Sequence, residues 1–381
     1  MIVAKASLFD VLGDLVVFRD LDPVDRRLPR FADAWPEMGL PGPARPRKLE
    51  PEYAQALVWL LRRARTLDAP GAELRELVFV GDNRLSDGSA FQSVRAAGGW
   101  QGWAFIGSDR AGEASISEED GVFAANRWSA LATFVARLLA AGARLDRQTA
   151  VIVDIDKTAL GARGRNDGAI DGARAAAIEA TAADALGSAF DRTGFRRAYA
   201  TLNVPRYHPF TADNQDNLAY TCLMLGARIT SLEELQATIA DGRLTSFREF
   251  IDQVERGRAW LPSPALQALH DEIYRRVLAG DPTPFKAFRR REYLETVTRM
   301  GYLPDETPLP QLLAEEICLT QEVMDVIAWL RRRDCLLMAL SDKPDEATMP
   351  TPENAAQGYQ PLHCIQAHVV GPKIDRMLPP G

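Results

Sequence analysis

Cysteine and histidine are both scarce, with four of each in 381 residues, and neither clusters along the chain. Cys222, Cys318, Cys335 and Cys364 lack the close spacing of a zinc site and the density of a disulfide scaffold, so they read as reduced packing residues. Among His208, His270, His363 and His368 only the last two are near each other. Strand alternation would put that H-x4-H pair on opposite faces, and no histidine site is assigned. Basic residues do not predominate either: the formal charge is −7 with both signs intermixed. No global basic field exists to bind nucleic acid by counterion release, and a nucleic-acid partner is not expected. Long apolar runs are missing as well. The segment MIVAKASLFD is interrupted by Lys5 and Asp10 before a signal-length run accumulates, and nothing approaches a membrane span. The expectation is a cytoplasmic chain without a membrane partner. Solenoid-type repeats and low-complexity tracts are also lacking.

What is present is an ordinary globular composition, 46% apolar and 25% charged, in a chain long enough for two domains or for one α/β core with a large insertion. Residues 2–10 read as a short strand followed by a Pro-rich passage up to Lys48. From Pro51 to about Arg65 the apolar residues Tyr53, Ala54, Leu57, Val58 and Leu61 recur at helical spacing. The continuous apolar runs LVFV (77–80), AVIVD (150–154) and CLLMALS (335–341) suit strands covered on both faces. WAFIG (103–107) makes another strand, residues 108–127 read as a polar loop, and 128–142 as a helix ending at Gly142. A long, mostly helical stretch separates the AVIVD and CLLMALS strands. Strands alternating with helices imply a mostly parallel sheet, whose ligand sites lie at the carboxyl ends of the strands. Asp154, Ser341 and Gly81-Asp82 all fall at such ends.

In VIVDIDKTALG two carboxylates, Asp154 and Asp156, stand two apart at the end of a buried strand, with Thr158 two further on. A strand end can aim the first carboxylate at a substrate while the turn brings the second in from another side, so one can attack and the other shuttle a proton. A solvated turn would use aspartate too, but the apolar strand before it argues for chemistry.

These residues resemble the first motif of the haloacid dehalogenase superfamily, an apolar strand followed by D-x-D-x-T. LLMALSDKP (336–344) is similar to the family's second motif through Ser341, LVFVGDNRLSD (77–87) to its fourth through Asp82 and Asp87, and RKLEPEY (47–53) to its third through Lys48. Lys373 competes for the lysine role. The resemblance implies an α/β fold, a Rossmann-like mostly parallel sheet with helices on both faces, and a large helical cap inserted between the first and second motifs. It implies Mg2+ held by Asp154, Asp82 and the Asp156 backbone carbonyl, with Asp87 in support. Asp154 would be the nucleophile and Asp156 the general acid and base. Ser341 and Thr158 would bind the phosphoryl group, Lys48 would neutralise charge, and Arg163 would meet an anionic substrate, with Arg165 beside it.

The motif order departs from the family, since Lys48 and GDNRLSD precede DIDKT. A circularly permuted core would join residues 1–147 to segments 148–160 and 325–381 around a cap at 161–324. Two tandem modules are the alternative, with LFDVLGDLV (8–16) as a degraded first motif that keeps Asp10. The function implied is hydrolysis of a small phosphorylated substrate through an aspartyl-phosphate. The other reading is a catalytically degenerate binding or regulatory protein that kept the fold.

Overall fold

The computed structural model describes residues 4–379. Ten strands form: β1 (Lys5–Ala6), β2 (Val16–Val17), β3 (Glu76–Gly81), β4 (Gln101–Gly107), β5 (Ile116–Glu119), β6 (Val122–Ala125), β7 (Thr149–Asp154), β8 (Leu319–Thr320), β9 (Leu336–Leu340) and β10 (Ala367–Val370). Seven of them make one sheet in the order β2-β9-β7-β3-β4-β6-β5, parallel throughout except for β5. The other three form a small sheet, β1-β10-β8.

Central parallel strands must be apolar on both faces, and β3, β7 and β9 are buried at every position. Leu77, Phe79, Ala150, Ile152, Met338 and Leu340 pack with Tyr53, Leu57 and Leu61 of the helix Pro51–Asp68 and with Phe91 and Val94 of Ser89–Gly98. On β4 and β6, Phe105 and Phe123 lie against Phe134 of the helix Leu131–Ala140, ring centroids 5.6 and 5.2 Å apart. Each such side chain contributes about 1.5–3 kcal/mol by leaving water, so this packing strongly holds the strand ends in place.

Two sequence expectations change here. The passage 108–127 is not merely a loop, because it contains the antiparallel pair β5–β6. Asp120 and Gly121 both have positive φ, 52° and 78°, the Asp-Gly pattern of a two-residue hairpin turn. Of the segment 2–10, residues 2 and 3 lie outside the described residues, and among the described ones only β1 is strand. A short helix, Phe9–Leu12, follows. Asp10 Oδ2 accepts from Ser7 N (2.7 Å) while Ser7 Oγ accepts from Asp10 N, a reciprocal cap. Asp10 thus serves a helix start, not a strand-end site, which removes the degraded first motif.

The chain divides into two compact units. One runs up to Asp171 and resumes at Thr296; the other is Gly172–Glu295. The flanks of the expected 161–324 insertion belong to the first unit because the chain is tied there: Gly161 N donates to Cys318 O, and Asn166 Nδ2 donates to Leu313 O and Glu316 O.

Only helices and their connections occur in Gly172–Glu295. Ser231, Ser246 and Ser263 cap three of them at the N-terminus, each side chain accepting a backbone N–H. Buried Asp216 accepts from Phe285 N (3.0 Å) and pairs with both Nε and Nη2 of buried Arg289. Removing one member of such a pair leaves a poorly compensated buried charge. Asp216→Ala is therefore expected to cost the helical unit about 3 kcal/mol in urea denaturation; a loss under about 1 kcal/mol would contradict this account.

Candidate active site

The strand register aligns the carboxyl ends that carry the acidic residues. Val153 of β7 is level with Val80 of β3, and Asp154 with Leu340 of β9. Asp154, Asp82 and Ser341 therefore emerge side by side from three adjacent strands. Oxygens of Asp82, Asp87 and Asp154 all lie within 4.8 Å of one another, and all three side chains are buried. Lys48, just before the helix Pro51–Asp68, reaches the same point. Its Nζ donates to Asp87 Oδ1 (2.7 Å) and to Asp154 Oδ1 (3.5 Å), and lies 3.4 Å from Asp342 Oδ2. Lys373 is exposed on the loop after β10.

Asp87 is held from beneath. Its Oδ2 accepts the backbone N–H groups of Asp82 (2.9 Å) and Asn83 (3.0 Å). A Cβ at Gly81 would come within 2.4 Å of that oxygen, so glycine there makes the close approach possible. Thr158 differs from its expected role of touching substrate. It is fully buried, and its Oγ1 donates to Asp154 Oδ2 (3.1 Å), orienting that carboxylate. Ser341 is also fully buried; its Oγ accepts from Lys343 N (3.1 Å), and its hydroxyl proton remains to donate. Asp156, less buried than Asp154, has Oδ1 3.5 Å from Lys343 Nζ.

Crowding of like charges sets the electrostatics. Burial drives the Asp154 carboxyl well up, Asp87 and Asp82 add to the rise, and Lys48 opposes it. Asp82 is pushed up to about 6, chiefly by burial and then by Asp87, against the pull of Arg163. Burial also works against ionised Asp87, but the charge and hydrogen bond of Lys48 and two backbone donors prevail and hold it down. Lys48 stays firmly protonated because Asp342, Asp154 and Asp87 outweigh its desolvation. The donors that converge are hard carboxylate oxygens carrying more negative charge than one lysine offsets, which fits a hard divalent cation of the magnesium kind.

Arg163 Nε pairs with Asp82 Oδ2. Its backbone is held firmly: its N–H donates to Lys157 O (2.8 Å), while its carbonyl accepts from Asp109 N (2.9 Å) and Trp128 Nε1 (3.2 Å). Arg165, beside it, turns elsewhere, to Asp109, Glu322 and Val370 O. The sequence reading missed three residues near the cluster. Lys343 is signalled only by standing two after Ser341, and Asp342 only by adjacency. Tyr53 appears in the sequence as a core residue, yet its fully buried hydroxyl has no hydrogen-bond partner among the described residues and feels the charges of Asp342, Lys48, Asp154 and Asp87.

No protein-family model, no curated protein and no solved structure matches this chain. Among the described residues no helix is long and apolar enough to cross a membrane.

Gly164 makes the Arg163 loop possible. It has φ +78°, and a Cβ there would come within 1.9 Å of Asp109 O. Gly164→Ala is expected to cost about 2 kcal/mol or more, since strain and overlap act together. Thermal melting checks it: an unchanged Tm would mean the loop yields freely.

Proposed function

We propose that this chain is a magnesium-dependent phosphomonoester hydrolase of the haloacid dehalogenase type, acting on a small phosphorylated substrate. One observation carries the proposal. Asp154, Asp82, Asp87 and Lys48 come from three separated stretches of sequence and meet at the carboxyl ends of neighbouring parallel strands. A scaffold gains nothing from burying three mutually repelling carboxylates, whereas a metal-assisted phosphoryl transfer needs them. On this reading the sheet is Rossmann-like, its split order reflects a permuted core, the helical unit Gly172–Glu295 is a cap domain, and the protein is cytoplasmic.

Asp82, Asp154 and the Asp156 carbonyl would hold Mg2+, with Asp87 in support. Bound there, the ion screens the repulsion between a carboxylate nucleophile and a phosphate dianion and stabilises the charge that develops during transfer. Thr158 and Lys48 hold the Asp154 carboxylate in place, so that one oxygen can attack phosphorus and form an aspartyl-phosphate as the ester oxygen leaves. Asp156 gives its proton to that leaving oxygen and then takes one from the water that hydrolyses the acyl phosphate. Ser341 donates its hydroxyl to a phosphoryl oxygen. Arg163, beside Asp82, supplies a guanidinium for the anionic substrate.

Asp154→Asn preserves shape but removes the nucleophile, so Mg2+-dependent hydrolysis of a generic aryl phosphate should fall by roughly 10³-fold or more. Near wild-type turnover by a folded Asp154→Asn protein would end this assignment. Asp82→Ala should leave the chain folded and weaken Mg2+ binding by calorimetry, with a matching rise in the magnesium needed for half-maximal rate. If binding and metal dependence stay as in the wild type, Asp82 is no ligand.

A further inference from the structure

Away from the carboxylate cluster, three side chains of different chemistry converge. Asp14 follows the short helix Phe9–Leu12, while His363 and Cys364 stand in the turn Leu362–Cys364 before β10. His363 Nε2 lies 3.0 Å from Asp14 Oδ1 and 3.4 Å from Cys364 Sγ, and the three atoms lie within 4.8 Å of one another. Asp14 is exposed, Cys364 partly so, and His363 fully buried.

We propose that Asp14, His363 and Cys364 form a second metal site, selective for a borderline transition cation of the zinc kind, that ties the start of the chain to its end. The three side chains bring an oxygen, a nitrogen and a sulfur to one point, a donor set that a single cation can take up together.

Tetrahedral zinc with bonds of about 2.0–2.3 Å sets its ligand atoms about 3.3–3.6 Å apart; the sulfur contact to Nε2, 3.4 Å, has that spacing, and the Asp14 oxygen, at 3.0 Å, would move out by a few tenths of an ångström on an exposed side chain. Thiolate and imidazole select zinc over magnesium, while the catalytic cluster offers oxygen alone. His363 Nδ1 is buried without a partner among the described residues, so affinity should be about 10–100-fold below that of a site whose second ring nitrogen is hydrogen-bonded. The link joins residues 349 positions apart, and zinc should therefore raise thermal stability.

Cobalt distinguishes this site from the catalytic one, because only a sulfur ligand gives a thiolate-to-cobalt charge-transfer band. The full chain, metal-free and kept reduced with a non-thiol reductant, is titrated with Co2+ and then with Zn2+. The expected result is a saturable band of one equivalent that zinc displaces. The band should persist in Asp154→Asn and vanish in Cys364→Ala, where zinc raises the Tm less than in the wild type. Asp14→Asn, which leaves the thiol intact, should weaken cobalt binding by about tenfold or more. Absence of the band in the wild-type chain, its persistence in Cys364→Ala, or unchanged affinity in Asp14→Asn would each overturn the proposal and leave a hydrogen-bonded cluster only. None of these outcomes depends on phosphatase activity.

Discussion

Three aspartates buried within 4.8 Å of one another repel, and the surrounding body is arranged to tolerate that repulsion. Asp87 is the member made to ionise: two backbone N–H groups and Lys48 hold it as a carboxylate, and Gly81 gives it room. Asp154 and Asp82 bear the cost as raised proton affinity, only partly relieved by Lys48 and Arg163. The site thus holds two carboxyl groups of raised proton affinity beside a fixed anion and a fixed cation. Perturbed carboxyl groups gathered at strand ends in this way are what supports the proposed metal-assisted chemistry.

The chain reaches this arrangement through register. Because β7 is level with β3 and β9, residues distant in sequence leave the sheet at one height, and the turn after each strand decides what faces the cluster. Asp154 closes its strand, Asp82 follows its strand directly, and Ser341 does the same on β9. A one-residue slip in any of them would reverse every side chain on that strand and expose part of an apolar set now buried on both faces. Core packing and site geometry are thus one constraint.

Much of this was legible in sequence. The apolar runs before Asp154, Ser341 and Asp82 marked three parallel strands, since only strands covered on both faces read as continuous hydrophobic stretches. Lys48 was legible as a lysine ahead of a helical period. What could not be read were matters of placement. Thr158 belongs to a motif, but whether its hydroxyl meets substrate or Asp154 depends on the turn Asp154–Leu160, including Lys157 at φ 62°. Arg163 and Arg165 are two apart in one loop, yet one reaches Asp82 and the other Glu322, a division set by backbone anchoring at Asp109, Trp128 and Cys318. The hairpin β5–β6 was passed over because Ser117, Glu118 and Glu119 are polar on an edge strand, although the Asp120-Gly121 turn between its strands was visible.

The same lesson applies to the histidines. Spacing along the chain gave no reason to link His363 to a metal, because its partners are the next residue and one 349 positions away. Spacing rules find sites whose ligands lie on one helix or strand; they are blind to sites assembled by fold closure. Asp14 lies within the stretch LFDVLGDLV, and the short helix that starts at Ser7 and Asp10 places it beside the turn before β10. In both clusters the informative quantity is therefore the contact made across the sheet order. Residues from the stretch 1–147, Lys48, Asp82 and Asp14, meet residues from the stretch 148–381, Asp154, His363 and Cys364. Neither of those two stretches holds all the members of either cluster.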